Sequence, residues 1–138
     1  LACSLALALE KAVAELPARL EYVRSLNARL RAELAQYPKV RINSPACAVP
    51  QILNLSVQNV KGTVFQRELD ARGVCVSVKS ACSSDGLPSR AVFAVSHDRR
   101  NALSSWRISL SHRTTEEELT GFLQAFDACY QTLTRQLP

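Results

Sequence analysis

One apolar stripe constrains this fold more than any other feature. Leu9, Val13, Leu16, Leu20, Val23, Leu30 and Leu34 recur at alternating spacings of four and three, and Asn27 stands in the one gap. That rhythm predicts a helix. Ala, Leu, Glu and Arg dominate around it, all good helix formers. Pro17 has no backbone N–H to donate, so it kinks the helix or starts a second one. The stripe passes through it without a break, which favours a kink or a close join. Tyr37-Pro38 ends the element. A leucine face this long has to be covered. Its cover is another domain, an oligomer partner or the chain's own core.

Downstream the pattern changes to short alternations. Val40-Arg41-Ile42-Asn43 reads as a short edge strand and Ile52 to Val57 as a firm strand, with a two-proline loop from Ser44 to Pro50 between them. Gly62 to Arg72 reads as a helix with Val64, Phe65 and Leu69 inward, and Gly73 terminates it. Val74 to Lys79 reads as the next strand. Ser89 to Val95 reads as a short helix with Val92, Phe93 and Val95 inward, and Asn101 to Leu103 as a further turn. Ser105 to Leu110 alternates as a strand. Thr114-Thr115 followed by Glu116-Glu117-Glu118 is a capping signature. It opens a last helix to about Arg135, with Leu119, Phe122, Leu123, Phe126 and Tyr130 on one face. Strands and helices without strict alternation imply an α+β fold, a small, mostly antiparallel sheet covered on one face by helices.

Length and composition exclude several classes. The 138 residues suffice for one domain with a core. The net charge of +5 is spread among acidic residues, with no Lys/Arg block longer than two. With few aromatics and no stacking motif, this argues for a solvated mixed-charge surface and against a nucleic-acid partner. The five Cys are odd in number and none pairs at two-residue spacing, so neither a metal site nor a disulfide framework is expected. Free thiols fit a reducing, cytoplasmic setting. Leu1 to Leu9 is briefly apolar, but it lacks a basic leader and Glu10-Lys11 closes it. No segment is long enough to span a membrane. The first residue is Leu and Met is absent throughout. A processed, trimmed or partial chain is therefore expected.

One stretch carries chemistry. In Ser80-Ala81-Cys82-Ser83-Ser84-Asp85-Gly86, a Cys stands among small, turn-forming residues that bury little apolar area. An accessible loop cysteine is predicted. Nucleophilic chemistry requires an accessible thiolate. A surface Cys without a role has the same local composition.

These strings also resemble a known family. Val49-Pro50-Gln51-Ile52-Leu53-Asn54-Leu55-Ser56-Val57 is similar to its Val-Pro-Asn-Ile-Leu-Asn-Ile-Ser-Phe segment. Gly62 to Asp70 and Gly73 to Ser77 resemble its next helix and strand. Ser80-Ala81-Cys82-Ser83-Ser84 resembles its active-site loop. Ser104 to Leu110 with Thr114 to Glu118 resembles its last strand and helix. The family is the cysteine desulfurases, class V relatives of the aminotransferases, of the Ser-Ala-Cys loop type. The likeness covers nearly all of the chain and is strongest over residues 49 to 119.

The resemblance implies the small C-terminal domain of a fold-type I pyridoxal phosphate enzyme. Residues 1–36 would be the connecting helix and 37–138 the domain. Lys11, Lys39, Lys61 and Lys79 all lack the family's Ser-x-His context for the cofactor lysine. The large cofactor-binding domain is thus expected to lie outside this chain, which alone would be inactive and bind no cofactor. In the parent enzyme, a homodimer by the same resemblance, L-cysteine would become L-alanine. Cys82 would take the sulfur as a persulfide and pass it to an acceptor protein of iron–sulfur or thiolation pathways. Arg107 would hold the substrate carboxylate with two parallel hydrogen bonds. Departures from the family pattern are Val78-Lys79 for Ser-Gly, Ser111-His112 for Gly-Arg, and His97 at an apolar position. Lys79 could lower the Cys82 pKa or stiffen its loop. The alternative to the enzyme part is a stand-alone sulfur carrier or protein-binding module.

Overall fold

A computed structural model describes residues 2–78 and 87–135. The helical stripe forms α1 (Ala2–Leu34), a single element with Pro17 inside it. Its two halves differ. Val23, Leu26, Asn27, Leu30 and Leu34 are buried, whereas Leu9, Val13 and Leu16 stay more than half exposed.

Three strands follow the helix into one sheet: β1 (Val40–Ile42), β2 (Ile52–Val57) and β3 (Ser105–Ser109), in the order β1-β2-β3 and antiparallel throughout. The register pairs Ile42 with Leu55, Leu55 with Trp106 and Leu53 with Ile108. Side chains alternate across a strand, so these residues share one face. That face meets α1, α2 (Gly62–Asp70) and α5 (Glu116–Arg135) in a single core. Trp106 lies at its centre, stacked on Phe65 with ring centroids 5.1 Å apart and next to Phe126.

Two glycines fix the approach of α2. A Cβ at Gly62 would lie 2.5 Å from the backbone oxygen of Ser105, so only glycine lets the helix start this close to β3. Gly73 has φ +76°, the left-handed conformation that closes the turn after α2, with Val74 N–H donating to Leu69 C=O at 3.0 Å. The expected capping at α5 is present in both directions. Glu118 N–H donates to Thr115 Oγ1 at 3.1 Å and Thr115 N–H to the Glu118 carboxylate at 2.9 Å.

Several sequence expectations change. Val74 to Lys79 does not form a full strand over its described part. Ser77 alone makes a bridge, to Arg107, while Gln66 Nε2 donates to the Val76 carbonyl at 3.0 Å and takes that group out of any ladder. In α3 (Arg90–Ser96), Val92 is half-buried, but Phe93 and Val95 face outward, Val95 being 83% exposed. The apolar spacing there is no guide to burial, because α3 packs on α4 (Arg99–Ser104) rather than over the core. Val64 is likewise exposed beside the buried Phe65. Lys79 and Cys82 lie outside the described residues.

Candidate functional site

The sheet's second face is polar. It carries Arg41, Asn54, Ser56, Ser105 and Arg107, whose register positions alternate with the core residues. Over this face opens a groove of about 940 Å³. Its walls come from β1 and β3, the loop after β1, Ser77-Val78 and the stretch from Leu87 into α3. Arg41, Arg90 and Arg107 all line it, and no Asp or Glu does among the described residues.

Arg107 is anchored through its backbone. Its N–H donates to Ser77 C=O at 2.7 Å, and its C=O accepts from Ser77 N–H at 3.1 Å. With both groups turned to that side, Arg107 and Asn54 form a non-hydrogen-bonded pair across β2, the kind that brings side chains closest. The guanidinium is exposed on the groove face. A strand held on both edges presents a charge with little backbone freedom.

Beside Arg107 runs a polar network. Asn43 Nδ2 donates to Asn54 Oδ1 and to Ser56 Oγ, both at 2.8 Å. Asn101 Nδ2 donates to Asn43 Oδ1 at 2.9 Å, and Ser56 Oγ to Asn101 C=O at 3.1 Å. Ser56 and Asn101 are buried, so these bonds satisfy groups that would otherwise be costly to bury. The network locks β1, β2 and α4 together behind the groove.

A second set of bonds reaches the groove from α1. Arg31 donates from Nη1 to Ser44 C=O at 3.0 Å and from Nη2 to Pro45 C=O at 3.1 Å. Its Nε donates to Asn27 Oδ1 at 2.7 Å, and Asn27 Nδ2 donates to Pro50 C=O at 2.8 Å. Ser44 and Pro45 are groove residues. The loop between β1 and β2 thus takes its position from the long helix. Reading the stripe alone misses this role of Asn27 and Arg31. The available signal was a lone polar residue inside an apolar helical row, which a buried face tolerates when it is bonded.

Of the other sequence candidates, His97 ends α3 in the left-handed region at φ 51° and is exposed, outside the groove lining. Ser111 sits in an exposed turn where its N–H donates to Thr114 Oγ1 at 3.0 Å. It is not among the described residues with positive φ, so replacing a family glycine there strains no backbone. The sequence stretch bearing Cys82 is bounded by Val78 and Leu87, and both line the groove. Among the described residues, no three His, Cys, Asp or Glu side chains gather where a metal could bind. Nor is any helix among the described residues long and apolar enough to cross a membrane.

Comparison with known proteins gives a consistent result. The family model described as aminotransferase class-V matches residues 1–122. A cysteine desulfurase IscS of Clostridium botulinum is 31% identical over 122 residues, covering 85% of this chain and 31% of that protein. Among solved structures, a NifS-like protein superposes with a TM-score of 0.75 at 29% identity, over 93% of this chain and 32% of its own. A NifS-like protein from Rickettsia africae gives 0.72 at 25% identity, over 85% of this chain and 30% of its own. The chain therefore spans about a third of the length of the relatives it matches.

Proposed function

This chain belongs to the class V aminotransferase family, and on that premise we propose that it is the small-domain part of a cysteine desulfurase. In this reading residues 1–36 are the connecting helix and 37–138 the small domain. The reaction takes sulfur from L-cysteine and leaves L-alanine, and Cys82 receives the sulfur as a persulfide for a protein acceptor. The observation that carries the reading is the anchored Arg107 in a groove whose two banks, at Val78 and Leu87, lead into the sequence around Cys82.

Arg107 binds and orients. A guanidinium offers a planar pair of donors that matches a carboxylate, and a backbone held by Ser77 keeps that pair aimed. Cys82 acts as a thiolate on the substrate sulfur; serine at this position would lack that nucleophilicity.

Pyridoxal phosphate, which the family implies, supplies the electron sink for carbon–sulfur cleavage when bound. The described residues do not fit its anchoring. None of Lys11, Lys39 and Lys61 lines the groove, and Lys39 Nζ donates instead to Thr134 C=O at 3.4 Å. No step is assigned to this chain through the cofactor; its own contribution is the carboxylate grip and the sulfur-accepting thiol.

The test uses the protein as made in its source, supplied with pyridoxal phosphate and L-cysteine. Alanine should form, and peptide mass mapping should find one added sulfur on Cys82. Cys82→Ser should abolish the added sulfur while leaving thermal unfolding unchanged. Alanine formation with sulfur on another residue would remove Cys82 from the role. Sulfur uptake from a persulfide donor, with no alanine from cysteine, would replace the enzyme reading with that of a sulfur carrier.

A further inference from the structure

A second pocket, of about 190 Å³, lies outside the groove and shares only Arg41 with it. Arg41 comes from β1, Gln58 and Asn59 from the turn after β2, and Arg100 and Ser104 from α4. Every residue that lines it is polar or charged. Sites for drug-sized ligands begin at about 300 Å³. A water molecule takes about 30 Å³, so this space suits a polar group of a few heavy atoms.

The frame of this pocket is held by bonds within the protein. Ser56 Oγ donates to Asn101 C=O, and both residues line the space. Asn59 stands in the left-handed region at φ 64°, a conformation asparagine adopts readily, and Val60 N–H closes its turn on Val57 C=O at 3.1 Å. Asp98 is the one carboxylate in the lining among the described residues. Its Oδ1 accepts from Asn101 N–H at 3.0 Å, and its Oδ2 is 3.5 Å from Arg41 Nη1 in an exposed pair, which binds weakly. Two groups are left over. Arg100 forms no ion pair with a described residue. Ser104 is only 7% exposed, yet its hydroxyl makes no hydrogen bond to another described residue. A buried hydroxyl is costly without a partner, so the pocket calls for an acceptor. Two guanidiniums against one carboxylate call for a negative one.

We infer that this pocket is a site for a phosphate group, with Arg100 and Arg41 as its cations and the Ser104 hydroxyl as a buried donor. A guanidinium offers paired donors that match phosphate oxygens. The space takes the phosphate group alone, so an esterified phosphate keeps the rest of its molecule in solvent. Asp98 opposes the anion and Arg41 offsets that opposition. The site is independent of the Arg107 reading and stands if that reading fails.

The probe is inorganic phosphate, titrated into the protein at constant ionic strength, which fixes screening. Binding is followed by amide and arginine Nε–H NMR shifts. Saturable shifts should appear at Asn59, Arg100 and Ser104. Arg100→Gln should raise Kd about tenfold, the worth of one charged hydrogen bond, and Arg100→Lys should recover part of that loss. Ser104→Ala should raise Kd about fivefold. Asp98→Asn keeps the cap of α4, because asparagine caps as well as aspartate. With the opposing charge gone it should lower Kd about fivefold. Arg24→Gln removes a positive charge from an exposed site on α1, outside the pocket, and should leave Kd unchanged. O-phospho-L-serine then separates the sources of the group. Tighter binding than inorganic phosphate supports an esterified ligand, and equal binding supports free phosphate. The inference is overturned if no saturable shift appears, or if the shifts fall on Arg90 and Arg107 in the groove instead. A Kd that Arg100→Gln leaves unchanged, or that Arg24→Gln raises equally, overturns it too. So does weaker binding in Asp98→Asn, since the carboxylate would then belong to the binding set.

Discussion

At the scale of single residues, the side chains that matter differ in how they are held. Arg107 has a fixed backbone and an exposed charge, so its removal should touch binding and little else. Arg107→Ala should raise KM for L-cysteine about 10- to 100-fold, the worth of a charged hydrogen-bonded pair. Alkylation of Cys82 should be unchanged, and equal KM values would exclude Arg107 from the site. Cys129 is the opposite case. It is fully buried in α5, and burial pushes its thiol pKa up. In the native protein Cys3, Cys47 and Cys75, all exposed, should react with iodoacetamide while Cys129 stays unmodified until urea unfolds the chain. Tyr37 donates to Asp127 Oδ1 at 3.0 Å, and burial together with that carboxylate pushes its pKa up to about 12. The ordinary value is about 10. The folded state therefore holds the phenol proton where the unfolded state releases it. That stabilisation is complete below pH 10 and is lost as pH rises towards 12. Unfolding free energies measured across that window should fall less steeply in Tyr37→Phe. Arg107 could be named from the sequence because a motif surrounds it. The protonation of Tyr37 could not, because Asp127 lies 90 positions away and only folding brings it near.

At the scale of elements, periodicity carries information wherever an element has one partner face. The period-two strands β1, β2 and β3 and the three-four rhythm of α5 emerge with their core residues as expected. Leu119, Phe122, Phe126 and Tyr130 are all buried. Periodicity misleads at α3, which shares no face with the core, and at Val74 to Val78, where one bridge replaces a ladder. Local contacts decide those cases, and a hydropathy pattern does not encode them. Gly62 belongs to the same class. Its necessity arises from Ser105, on a strand 43 positions later, and the test is direct. Gly62→Ala places a methyl 2.5 Å from a backbone oxygen and should destabilise by about 1–3 kcal/mol despite alanine's better helix propensity. A stabilised variant in urea unfolding would show that α2 can draw back from β3 without cost. The groove shows the same division between near and far. Of the groove asparagines, Asn54 sits on a recognisable strand and Asn43 directly follows one. The bond from Arg31 to Ser44 joins a helix to a loop and leaves no periodic trace.

At the scale of the molecule, α1 poses one question about coverage. Its stripe is continuous from Leu9 to Leu34, yet the core accepts it only from Val23 onward. The exposed part adds Leu5, at 70%, to Leu9, Val13 and Leu16. Scattered surface leucines need no explanation, but a run of this length on one helix is a patch of the kind that marks a contact surface. Within the chain itself these side chains bury almost nothing, so their contribution to its folding should be close to zero. Leu9→Glu with Val13→Glu should leave the urea unfolding free energy within about 0.5 kcal/mol of the parent. Leu26→Ala, further along the same helix, should cost about 2–5 kcal/mol, because Leu26 is fully buried in the core. If the two glutamates instead cost as much as the buried alanine, the first half of α1 is covered in solution by a second copy of the chain. The unfolding midpoint of the parent would then rise with protein concentration, as mass action requires.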